Sequence, residues 1–143
     1  MEVKIGVLSY LLCNTWMDLK YRKISFWMSM IYGFVGVVLF IVLNHISWFS
    51  LIGGVAIGGI IFLISKLTKG GIGIGDSYLI AVTGIFLGLE MNITLLMYAL
   101  FLSSLYSVLL FFRKKFYRKK KIPFAPFLLL AYLFMEGMLV LYG

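Results

Sequence analysis

Apolar residues gather into six runs along the chain: Val3 to Met17, Phe26 to Leu43, Trp48 to Ile64, Ser77 to Leu89, Ile93 to Phe112 and Phe124 to Leu141. A helix needs about 20 residues to cross a hydrocarbon core ~30 Å thick, so six crossings nearly use up the 143 residues. The pattern predicts an all-α membrane protein of six transmembrane helices, organised as a single domain over residues 1–143 with no separate soluble part. The fourth run is noticeably short. Trp16, Trp27 and Trp48 fall near the ends of runs, where an aromatic belt places them. Met1 to Cys13 lacks a net-basic start and a small-residue cleavage site, so the first run reads as a retained helix.

The connectors alternate between basic and nearly uncharged. Lys20, Arg22 and Lys23 lie in the first, Lys66 and Lys69 in the third, and Arg113, Lys114, Lys115, Arg118, Lys119, Lys120 and Lys121 in the fifth. The second and fourth have none. Twelve of the 13 Lys and Arg residues therefore share one side, with Lys4 the exception. By the positive-inside rule that side is the cytoplasm, and both termini lie outside.

Composition agrees with the membrane assignment: 63% of residues are hydrophobic, 13% are charged, and the mean hydropathy is +1.08. The net charge of +8 raises the question of nucleic acid, but topology already requires basic residues at Arg113 to Lys121, and anionic lipid is the nearest partner. No nucleic-acid partner is expected. Cys13 is the single cysteine and His45 the single histidine, so neither a disulfide nor a metal site is expected. The glycines at 71, 73 and 75 do not match a nucleotide-binding fingerprint, and no cofactor is implied. Gly54 and Gly58, four apart in the third run, suit a close helix contact.

The segment GGIGIGDSYL, Gly70 to Leu79, breaks the pattern twice, with glycines that disfavour helix and a charge beside an apolar run. Irregular backbone at membrane depth needs protein or a wet cavity to satisfy it, so a polar cavity is expected beside Asp76. Asp18 closes the first run 58 positions earlier, two complete crossings away, which returns both carboxylates to the same boundary. Such acids can be ordinary helix-end residues, with Asp76 as a cap. If instead they face one cavity, they share a proton near neutrality. The ionised member then activates water against a peptide carbonyl while the protonated member donates to the carbonyl oxygen. Of the other acids, Glu2 and Glu90 belong to the outer surface, and Glu136 reads as structural, with a partner possible on another helix.

With these residues in place, the chain resembles the type IV prepilin peptidases, members of the GxGD class of membrane aspartyl proteases. Gly73-Ile74-Gly75-Asp76 is similar to the GxGD signature, Asp18 with Ile24 to the first aspartate motif, and IPFAPFLLL, Ile122 to Leu130, to the proline-rich start of the last helix. The likeness runs through essentially the whole chain. Tyr78 stands where the family often has lysine, and Ser25 and Phe26 where it has proline and asparagine. The resemblance implies the GxGD-type fold and an aspartic endopeptidase of a prokaryotic cytoplasmic membrane. It would remove the basic leader of a prepilin-like protein at the cytoplasmic face, in type IV pilus or secretion assembly. It implies Asp18 and Asp76 as the catalytic pair, and Gly73 and Gly75 as shaping the loop that admits substrate backbone. Larger relatives add an N-methyltransferase region with paired cysteines; the expectation here is a peptidase only. The alternative from another class is a small ion- or proton-coupled transporter using the same aspartates.

Overall fold

The computed structural model describes residues 1–113 and 122–143, and the basic stretch from Lys114 to Lys121 lies outside the described residues. The described chain is helical, with no strand: α1 (Glu2–Tyr21), α2 (Phe26–Leu43), α3 (Trp48–Leu67), α4 (Ile74–Phe112) and α5 (Ala125–Tyr142). α2, α3, α4 and α5 are each long and apolar enough to cross a membrane. α1, which carries Glu2, Lys4, Asp18 and Lys20, is not among them.

The fourth and fifth apolar runs form one 39-residue element, α4, broken inside at Gly88, where φ is 77° and ψ is −175°. This left-handed value suits glycine and ends the helical path. The chain then folds back. Asn92 Nδ2 donates to the carbonyl of Ile80 at 3.0 Å, whereas twelve residues of straight helix would separate them by about 18 Å. The sequence places the interruption at Glu90 to Asn92, but it occurs at Gly88, where two side chains satisfy the freed backbone and a third fastens the returning half. His45 Nε2 donates to the Phe86 carbonyl at 3.0 Å, and Ser50 Oγ accepts from the Leu89 N–H at 2.9 Å. Asn92 also donates to the Gly54 carbonyl at 3.2 Å and accepts from Thr83 Oγ1 at 2.8 Å. Asn92 is thus a buried lock within helix, not a connector residue.

Small residues bring α3 against the first half of α4. A Cβ on Gly54 would stand 2.5 Å from the Gly84 carbonyl oxygen, and one on Gly58 would stand 2.5 Å from the Ala81 Cβ, so the two backbones touch in antiparallel register. This is the contact expected of the spaced glycines. α1 also runs antiparallel to that half. Its buried face, Val7, Tyr10, Leu11, Asn14, Thr15 and Asp18, recurs at helical spacing, and Val7, Tyr10 and Leu11 pack into a core with Leu79, Val82 and Phe86. α5 lies along α1, joined at one end by Lys4 Nζ to Glu136 Oε2 at 2.7 Å and at the other by Ala125 to Asp18. The Lys4 and Glu136 pair accounts together for the basic residue outside the charge pattern and for the acid inside the last run.

These contacts sort the bundle by its ends. One end gathers the close of α1, the starts of α2, α4 and α5 and the close of α3, together with Lys20, Arg22, Lys23, Lys66 and Lys69. The other gathers both chain termini, the α2–α3 connector and the break at Gly88.

Candidate active site

The first of those ends holds a cavity of about 780 Å³, lined by both Asp18 and Asp76. The volume lies within the range of clefts that hold small ligands. Asp18 is the last residue of the buried stripe on α1 and is 7% exposed. Asp76 is partly buried in the first turn of α4. It is not the cap: Gly73 occupies the N-cap position and accepts from the Asp76 N–H at 3.1 Å.

Each motif supplies part of the wall. Gly70 to Asp76, Ile24, and Ile122 to Phe124 all line the cavity, and Arg22, Lys23, Tyr78, Leu96, Leu100 and Ser103 are among the other residues of its wall. The glycine segment divides in two. Residues 70–73 are irregular, while Gly75 is already helical, where a non-helical residue is expected from sequence. The irregular part turns at Lys69 and Gly70, whose φ values are 50° and 90°. It is held by buried Ser65, which donates from Oγ to the Ile72 carbonyl at 2.6 Å and accepts at its own carbonyl from the Gly70 N–H at 3.1 Å.

The two glycines of the signature act through space rather than φ. A Cβ on Gly75 would lie 2.8 Å from the Ile24 Cβ, so its absence lets the α1–α2 connector settle on the first turn of α4. A Cβ on Gly73 would lie 3.0 Å from Asp76 Oδ2, so the carboxylate sits directly over the loop. Gly75 and Ile24 are the physical joint between the two aspartate motifs.

Asp18 Oδ2 accepts from the Ala125 N–H at 3.2 Å. Tyr78 is wedged between Phe26 and Phe62, with ring centroids 5.3 and 6.1 Å away. The residue that stands where a lysine is common therefore forms an aromatic wall. Sequence reasoning misses Ser65, Ala125 and the polar pair Asn14 and Thr15 above Asp18. The pair has a signal, since both share the spacing of the buried stripe; Ser65 and Ala125 have none, because each acts through a backbone contact. Among the described residues, no three His, Cys, Asp or Glu side chains converge as a metal site would require.

A family model described as the type IV leader peptidase family matches residues 5–112. The chain belongs to the type IV leader peptidase family. A curated relative, the prepilin leader peptidase/N-methyltransferase of Bacillus subtilis (strain 168), is 31% identical over 102 residues. The match covers 67% of this chain and 41% of that protein, so the chain spans about two fifths of the relative's length. No solved structure matches it significantly. Within the leader peptidase family match fall Asp18, Asp76, Gly73 and Gly75; the Pro123 to Pro126 segment lies beyond its end.

Proposed function

We propose that this leader peptidase family member is an aspartic endopeptidase of the cytoplasmic membrane of a prokaryote, cleaving the basic leader of prepilin-like substrates at the cytoplasmic face. The observation that carries the reading is the single cavity lined by Asp18 and Asp76 in a chain of this family. The ionised carboxylate takes a proton from water as the water oxygen bonds to the scissile carbonyl carbon. The protonated partner gives its proton to the carbonyl oxygen. Collapse of the resulting diol breaks the C–N bond and returns a proton to the departing nitrogen. Gly73 and Gly75 shape the loop that admits substrate backbone, by letting the Asp76 carboxylate sit over the one and Ile24 pack on the other.

In the proposed topology all six helical segments span the bilayer as one domain, residues 1–143, with both termini outside. The sorting of the basic connectors to the cavity's end supports this. So does the first half of α4, residues 74–87, which is about 21 Å long and short of a ~30 Å core, as a helix starting below the surface would be. Arg22 and Lys23 line the cavity with the acids, so attraction of a basic leader falls to the carboxylates. Family membership does not favour the transporter reading.

The test is cleavage by purified protein in detergent of a peptide that carries a basic leader before an apolar helix. Asp18→Asn and Asp76→Asn should each lower cleavage by at least about a thousandfold, as loss of a member of a catalytic unit does. Cleavage persisting in either variant would remove that aspartate from the mechanism. Aspartate-dependent ion uptake by reconstituted wild type without cleavage would return the transporter.

A further inference from the structure

The first turn of a helix leaves its N–H groups without intrahelical acceptors, and buried ones must be satisfied from elsewhere. At the start of α5 that need is almost removed by composition. Pro126 has no N–H, and the Phe127 and Leu128 N–H groups both donate to the Phe124 carbonyl, at 3.0 and 3.1 Å. Ala125 remains, fully buried, and its N–H donates to Asp18 Oδ2 across 107 positions of sequence.

We propose that the N-terminus of α5 is the positioning element for Asp18: the Ala125 N–H holds Oδ2 and leaves Oδ1 as the oxygen that exchanges protons in the cavity. This rests on the peptidase reading and adds to it an assignment of oxygens. A carboxyl group free at both oxygens can turn about its Cβ–Cγ bond and place a proton on either. Holding Oδ2 against a backbone donor restricts that turn. A protonated oxygen is the poorer acceptor, so the same contact keeps any proton on Oδ1. The donor belongs to a helix packed along the whole of α1, so it moves only if the helix moves. The positive end of the α5 dipole adds to the stabilisation of the ionised form. Among the described residues, the charged and titratable groups that line the cavity with Asp18 are Asp76, Arg22, Lys23 and Tyr78, and α5 brings none to it.

Replacing the Ala125 amide with an ester, by incorporating lactic acid at position 125, removes the N–H and keeps the side chain. An ester at position 128, made with leucic acid, weakens the same helical turn without touching Asp18 and serves as the control. With the basic-leader peptide as substrate, the 125 ester should lower kcat roughly ten- to hundredfold with little change in KM, the loss expected for one charge-assisted hydrogen bond. The limb of the kcat–pH profile that belongs to Asp18 should move to higher pH, because the lost donor favoured the carboxylate. The 128 ester should leave kcat and the profile near those of wild type.

Equal kcat and an unshifted profile in the 125 ester would overturn the proposal while leaving the peptidase reading intact. Equal losses in both esters, with neither profile shifted, would reduce Ala125 to helix stability and also overturn it. Failure of the peptidase reading has a different signature, namely no cleavage by wild type, and failure of Asp18 as a catalytic member shows as cleavage surviving in Asp18→Asn.

Discussion

At the scale of residues, the site depends on what glycine omits. Gly75 has no φ requirement, yet a Cβ there would overlap Ile24, and that contact is what brings the end of α1 to the start of α4. Gly75→Ala should therefore destabilise the fold by roughly 1–3 kcal/mol, the usual range for overpacking, and lower cleavage as well. Trimming the opposing side chain in Gly75→Ala/Ile24→Ala should restore part of both. Thermal unfolding in detergent and peptide cleavage measure the two effects, and a double variant no better than Gly75→Ala would show that Ile24 is not the obstacle. The Lys4 and Glu136 pair shows the opposite case. It is short, but Lys4 is mostly exposed, and exposed ion pairs contribute only about 0–1 kcal/mol, so it places α1 beside α5 more than it stabilises them.

At the scale of elements, α4 is the member that departs most from a regular helix. Its two halves belong to different parts of the bundle. The first packs on α1, α2 and α3 through Gly84, Ala81 and Phe86, and the second meets α5 through Tyr98 and Tyr106 against Phe134 and Phe127. The reversal at Gly88 joins them, and Asn92 fastens it through contacts to Thr83, Ile80 and Gly54. Asn92→Leu keeps the approximate volume and removes three buried hydrogen bonds, at a cost of about 1–3 kcal/mol. Denaturation by SDS from mixed micelles should show a lower midpoint. An unchanged midpoint would mean that packing alone holds the hairpin. Because the first half of α4 carries Asp76, a loosened reversal should reach the cavity too.

At the scale of the whole molecule, charge and packing agree on two unlike ends. The described basic residues other than Lys4 lie at the end with the cavity, and the termini lie at the other. If that end faces the cytoplasm, single cysteines introduced into a Cys13→Ser background should report it. Asn44→Cys should react with an impermeant maleimide added to intact cells, and Lys69→Cys should react only after the membrane is opened. The reverse pattern would place the cavity outside and exclude cleavage at the cytoplasmic face.

The sequence alone determined the helical, membrane-embedded class, the side on which its basic connectors gather and the residues that resemble the leader peptidases. These follow from local quantities, namely the length of apolar runs, the distribution of lysine and arginine, and glycine beside a charge. Parity of crossings also brought Asp18 and Asp76 to one boundary, and the structure sets both around one cavity. Only tertiary structure decided where α4 breaks, because the choice of Gly88 over the neighbouring polar residues rests on His45 and Ser50 meeting freed backbone groups and on Asn92 tying the returning half to Thr83, Ile80 and Gly54. It likewise decided which group holds Asp18. A backbone N–H carries no side-chain signature, so its partner becomes visible only once distant segments are packed together.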